Sequence, residues 1–128
     1  MSGSLRRTPV SPVANDLAYF LSETDGDKER ALQLAQVAKE AAPDEPHISD
    51  TLGWILYQCR DIHARAVALL QEAASKLTDN AVVRYHLGIA QLAAGNKEAA
   101  KREFQQALKL QPTFPGAEEA RKALSHLP

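Results

Sequence analysis

Three short stretches recur at a fixed spacing of 35 residues: Leu17-Ala18-Tyr19-Phe20-Leu21, Leu52-Gly53-Trp54-Ile55-Leu56 and Leu87-Gly88-Ile89-Ala90-Gln91. Downstream of each, small residues recur in step, at Ala31, Ala66 and Ala100 and again at Ala38, Ala73 and Ala107. Each copy closes on a breaker segment, marked by Pro43, Thr78 and Pro112. Self-similarity of this period restricts the fold severely. A unit this short cannot bury its apolar face alone, so successive units must stack and share one elongated core.

Within a unit the pattern is helical. Apolar residues fall at i, i+3, i+4 spacing in "ALQLAQVAKEAA", "AVALLQEAASKL" and "AAKREFQQALKL". The segments "TDGD", "CRD" and "AAGN" separate the two helices of each unit, while Pro43/Pro46, Asp79-Asn80 and Pro112/Pro115 separate units. After the third unit, Ala117, Ala120, Leu124 and Leu127 share one helical face and Glu118, Glu119, Arg121 and Lys122 take the others. This is the pattern of a terminal helix with a polar outer side. The expected fold is all-α, three helix pairs plus a C-terminal capping helix, seven helices in all. Units span residues 11–45, 46–80 and 81–114, and the cap spans 115–127. Glycine inside a helix costs about 1 kcal/mol relative to alanine. Gly53 and Gly88, with Ala18 at the matching place, are therefore read as holes that let a partner helix approach closely, opposite Ala31, Ala66 and Ala100.

The period, and the order Leu-Gly, Ala, aromatic or Leu, Ala, Pro, resemble tetratricopeptide repeats over residues 11–127. The third unit fits best, through Leu87, Gly88, Gly95, Ala100, Phe104, Ala107 and Pro112. The first two units depart by one extra residue between their helices, and Arg60 stands where a turn glycine is usual. The resemblance implies a right-handed α-solenoid that serves as a non-catalytic interaction scaffold. More narrowly, "DTLGWILYQ" is similar to bacterial repeat proteins of exopolysaccharide and exosortase-linked (PEP-CTERM) envelope systems.

Composition narrows the function. Net charge is −1, with 45% hydrophobic and 24% charged residues, which disfavours a general nucleic-acid or anionic-membrane binder. The charge is polarised: residues 1–64 carry 6 Lys/Arg against 10 Asp/Glu, and residues 65–128 carry 9 against 6. The single cysteine, Cys59, excludes an internal disulfide and any multi-thiolate metal site. No apolar run approaches the ~20 residues of a membrane span. The opening "MSGSLRRTPV" lacks an apolar h-region and reads as a flexible arm or cloning scar over residues 1–10. A soluble domain of the cytoplasm or, if cut from an exported envelope protein, of the periplasm is expected.

On a helical wheel of residues 50–59, Leu52, Ile55, Leu56 and Cys59 cluster with Ile48 as a core face, and Trp54 lies opposite. The first helix of unit one divides likewise, with Val13, Leu17 and Phe20 toward the core and Asn15, Tyr19 and Ser22 away from it. In unit three Val82, Tyr85, Ile89 and Leu92 oppose Val83, Leu87, Ala90 and Ala94, so this helix is apolar nearly all round and should be covered. In a tetratricopeptide-like stack, first helices line the concave surface. The expected partner-binding groove is an exposed strip of Tyr19, Trp54, Tyr57, Val82, Tyr85 and Ile89, edged by Asn15, His47, Asp50, Gln58 and His86. The expectation for Trp54→Ala is lost binding with little lost stability, from an interaction in the micromolar range.

Other chemistries lack support. The carboxylate grip by which some tetratricopeptide domains hold a chaperone tail uses Lys, Asn and Arg. The matching places here hold Asn15, Tyr19, Thr51, Val82 and His86, which leaves no cation for the carboxylate. His47, His63, His86 and His126 are scattered, so no metal or cofactor is expected. Cys59 and His63 flank a turn without an orienting third group, and an enzyme is not expected. No phosphate loop is present, and Lys97, Lys101, Arg102 and Lys109 read as a solvated face. The function expected is a scaffold receiving a peptide or partner helix in the groove. The alternative is homo-oligomeric assembly through that groove or through the oppositely charged ends.

Overall fold

A computed structural model of the chain describes residues 10–24, 27–60 and 63–128. The turns of the first two units, the arm before Val10, and the side chains of Val10, Ser11, Cys59, Arg60 and His63 lie outside the described residues. Within them the chain forms α1 (Val10–Glu23), α2 (Lys28–Ala41), α3 (Pro46–Arg60), α4 (His63–Lys76), α5 (Ala81–Ala93), α6 (Lys97–Leu110) and α7 (Ala117–His126). These are the seven helices of the expected all-α solenoid. α1, α3 and α5 each pair with the helix that follows, α3 packs on α2, α5 on α4, and α7 closes against α6.

Local chemistry sets the helix ends. Asp27 accepts from the Arg30 amide and Asn80 from the Val83 amide, capping the first turns of α2 and α5. Gly95 turns the chain between α5 and α6 at φ +89, a left-handed conformation that costs other residues energy. Gly116 does the same at φ +107 at the head of α7.

Inside each pair the helices nearly touch. A Cβ at Gly53 would lie 2.8 Å from Leu70 Cγ and 3.2 Å from the Ala66 carbonyl oxygen. A Cβ at Gly88 would lie 2.6 Å from Phe104 Cε1. Ala18, Ala31, Ala66 and Ala100 are wholly buried at the same seams. Between pairs, Ile48, Leu52, Ile55, Val83, Leu87 and Ala90 are buried. Lys39 of α2 donates to Ser49 Oγ of α3 (2.7 Å) and to Glu72 of α4 (3.3 Å), and Ser49 donates to Glu72 (3.2 Å). This polar latch joins the first two pairs.

One expectation is corrected. The helical wheel places Val13, Leu17 and Phe20 toward the core of unit one, yet they are 63%, 42% and 61% exposed. Their counterparts 35 residues on, Ile48, Leu52 and Ile55, are buried because α2 of the preceding pair covers α3. No described helix precedes α1 to cover its row.

Gly88→Ala should therefore destabilise the fold. The helix-propensity gain of about 1 kcal/mol is outweighed by about 1–3 kcal/mol of overpacking against Phe104. Urea denaturation checks this, and a stabilised variant would mean that α5 and α6 are not held this close.

Candidate functional site

The first helices carry their aromatic residues to one face, as the wheel implied, but the rings are not laid out as an open strip. Trp54 of α3 is only 8% exposed. It stacks on Tyr57, with centroids 5.3 Å apart at 22°, and on His86 of α5, with centroids 4.0 Å apart at 16°. Tyr85 tilts against Trp54 at 6.0 Å and reaches Phe104 and Phe114 on its other sides. Tyr19 of α1 meets the edge of the stack at His86, 6.2 Å away.

Polar groups fix this stack from beneath and from the side. His86, 2% exposed, places Nδ1 2.7 Å from Asp50 Oδ1. An ionised carboxylate can only accept, so Nδ1 carries the hydrogen and the ring plane is set for stacking. The Trp54 indole donates Nε1–H to Glu23 Oε2 at 2.9 Å, which satisfies the one polar atom of the buried ring. Gln58 reaches the same carboxylate oxygen at 3.5 Å.

The cover over α5 comes from the C-terminal cap. Residues 114–116 fold back over Tyr85, so closely that a Cβ at Gly116 would sit 2.5 Å from its ring. Arg121 donates to the Pro112 carbonyl and holds this turn in place. A cavity of about 300 Å³ remains between the cap and the first helices, lined by Tyr19, Glu23, Trp54, Tyr85, His86, Pro115, Gly116 and Glu119.

The expected site residues thus separate into groups. Tyr19, Trp54, Tyr85 and His86 converge on the cavity. Asp50 and Tyr57 support its rings from behind. Asn15, Gln58, Val82 and Ile89 are half-buried outside it. His47 is exposed and lines a different hollow of about 580 Å³ between the second and third units, with Lys76, Asp79, Asn80 and Gln111. The expectation that Trp54, Tyr85, Asp50 and His86 are exposed groove or rim residues is therefore corrected. A wheel of one helix does not register rings from neighbouring units, and here those rings cover one another. Sequence reasoning missed Glu23, Pro115, Gly116 and Glu119. Glu23 was within reach: it lies one turn after Tyr19 on the same face, at the place Gln58 holds one unit later.

Both cavity hydroxyls are held neutral. Burial pushes Tyr19 up to about 12, and the charges of Glu23 and Asp50 push the same way. Burial pushes Tyr85 up to about 12, aided by Glu119, Tyr57 and Glu23. Among the described residues, no group of three or more His, Cys, Asp or Glu converges as a metal site, and no helix is long and apolar enough to cross a membrane.

Two consequences can be measured. Trp54→Ala should cost about 3–5 kcal/mol of stability by chemical denaturation, as for other buried large side chains, instead of sparing the fold. The unfolded chain releases its tyrosine protons near 10.0, while Tyr19 and Tyr85 hold theirs to about 12. Stability tied to the neutral hydroxyls is thus full below pH 10 and is lost progressively between pH 10 and 12. Ultraviolet titration should show two late-ionising tyrosines and a falling melting temperature over that window. Ordinary titration of all three would contradict the cavity geometry.

The tetratricopeptide repeat family model matches residues 63–127. No curated protein matches significantly. Among solved structures, MamA of MSR-1 is 27% identical with a TM-score of 0.72, over 91% of this chain and 64% of its own; the chain therefore spans less than two-thirds of that relative. The first repeat domain of Spaghetti (RPAP3), solved bound to the HSP90 peptide SRMEEVD, is 20% identical with a TM-score of 0.75, over 92% and 93% of the two chains. The Yersinia enterocolitica type III secretion translocator chaperone SycD, solved as an alternative dimer, is 18% identical with a TM-score of 0.73, over 92% and 91%. With the repeat spacing, the seven helices and the glycine seams, the match establishes that the chain belongs to the tetratricopeptide repeat family.

Proposed function

We propose that the protein is a non-catalytic interaction scaffold that receives a peptide or partner helix on its concave face. The observation that carries this reading is the cavity of about 300 Å³ to which all three first helices and the head of α7 contribute. A hollow shared among repeat units is a natural receptor, because one inserted side chain contacts every unit at once. Repeat domains of this fold do bind peptides, as the Spaghetti complex illustrates.

The gripping surface is narrower than a whole aromatic strip. Trp54 is buried, stacked on Tyr57 and His86. Tyr19, half-buried at the edge of the stack, is the anchor with area left to give. Around it, burial of a partner's apolar side chains supplies affinity, offset by the cost of ordering the peptide.

A second reading, self-association, rests on a different surface. Val13, Leu17 and Phe20 form an exposed i, i+4, i+7 row that continues the interface by which the units already stack. The α1 row of a second copy is the occupant this reading names. Light scattering over a dilution series decides it: mass should rise with concentration and revert to monomer in Phe20→Asp.

For the principal reading, peptides selected from a random displayed library should shift the amide resonances of α1, α3, α5 and the head of α7. Tyr19→Ala should weaken them about tenfold, the worth of one anchor, with a smaller loss of stability than Trp54→Ala. Selected peptides that shift the even-numbered helices, or that ignore Tyr19→Ala, would contradict it.

A further inference from the structure

The cavity has a sign. Its two acidic lining residues, Glu23 and Glu119, have no ion-pair partner among the described residues, and no Lys or Arg lines it. Glu23 spends Oε2 on the Trp54 indole, and its other oxygen makes no hydrogen bond among the described residues. Asp50 lies behind the same rings, bound to His86. The half-buried Tyr19 ring is the wall with π-surface left to attract a cation, since Tyr85 is covered by Trp54, Phe104, Phe114 and Gly116. Burial is the first cause of the raised ionisation of both hydroxyls, and the charges of Glu23, Asp50 and Glu119 add to it.

An anionic or neutral side chain entering here would lose its water without a charged donor to meet it. A guanidinium at this place would meet the Tyr19 ring while donating to the carboxylates of Glu23 and Glu119. This geometry suits the planar, weakly hydrated fork of arginine better than the compact ammonium of lysine. The peptide SRMEEVD in the Spaghetti complex is acidic at its C-terminal end; the cavity of this chain is built for the opposite sign.

We infer that the concave cavity bounded by Tyr19, Tyr85, Glu23 and Glu119 is a receptor for an arginine side chain of the partner peptide. The inference rests on the concave face being the peptide-binding surface, and it names what that surface selects.

The test uses blocked pentapeptides that differ only in the central residue: arginine, its neutral isostere citrulline, and glutamate. Each is titrated against isotope-labelled protein while the Trp54 indole N–H and the Tyr19 and Tyr85 ring resonances are followed. The arginine peptide should shift these resonances saturably and bind about tenfold or more tightly than the citrulline peptide, with glutamate weaker still. Combining Glu23→Gln with Glu119→Gln should weaken the arginine peptide about tenfold and leave citrulline unchanged. Both replacements keep side-chain shape, and Glu23→Gln keeps an acceptor for the indole, so the circular dichroism spectrum should not change. Glu119→Gln alone, at an exposed position, should show part of the loss if the double variant is destabilised.

Equal binding of arginine and citrulline, or an arginine affinity unchanged in the Gln variants, overturns the charge selection and leaves the peptide-binding reading standing. Absence of any saturable shift with all three peptides at millimolar concentration overturns this inference. If library-selected peptides also leave these resonances unmoved, the concave reading falls with it.

Discussion

At Gly53 and Gly88 the backbone of a first helix lies against the side chains of its partner helix with no Cβ between them, 2.8 Å and 2.6 Å being the distances at which one would collide. That closeness draws each pair into a thin slab. Slabs this thin stack so that the side of each first helix turned away from its partner meets the corresponding side of its neighbours. The aromatic residues placed there, Tyr19, Trp54, Tyr57 and Tyr85, are thereby brought within ring-stacking range of one another and of His86. A looser pair would fan these helices apart and leave the rings in water.

The resulting aromatic spine is stabilised by dispersion and burial, and its geometry is set by a few polar bonds. His86 would be costly in such a place without Asp50, and the Trp54 indole without Glu23, since an unpaired buried polar group loses its water for nothing. These partners come from other units: Asp50 is 36 residues from His86 and Glu23 is 31 from Trp54. The same bonds that orient rings across the repeat boundaries also place carboxylates around the cavity. Fold and proposed recognition surface thus draw on one set of residues, so several cavity positions are poor choices for functional mutagenesis. Glu119 is exposed and outside this network, which makes it the cleanest probe of the site.

Much of this was legible in the sequence because it depends on spacing. The repeat of Leu-Gly and Ala, the breakers at Pro43 and Pro112, and the two-sided pattern of α7 sufficed for seven helices and for the packing role of Gly53 and Gly88. The site was legible only in part. A helical wheel reports which residues lie opposite a helix's own core face, and it placed Trp54, Tyr19 and Tyr85 together correctly. It does not report what a neighbouring unit or a returning segment brings to that side. Covering of Trp54 by His86 and of Tyr85 by Phe114 and Gly116 is long-range information. The same limit misassigned Val13, Leu17 and Phe20. Their pattern is that of buried counterparts in later units, but burial needs a preceding helix, and none is described before α1.

The chain has one tryptophan, so its fluorescence reports the spine without mixture. Acrylamide quenching at low protein concentration separates a stacked, covered Trp54 from one standing open on a concave groove. Weak quenching with blue-shifted emission, unchanged on further dilution and lost only when the chain unfolds, is the result expected of rings that cover one another within a single molecule. Ready quenching with red-shifted emission in the folded protein would contradict it, and with it the aromatic spine and the cavity that the spine encloses.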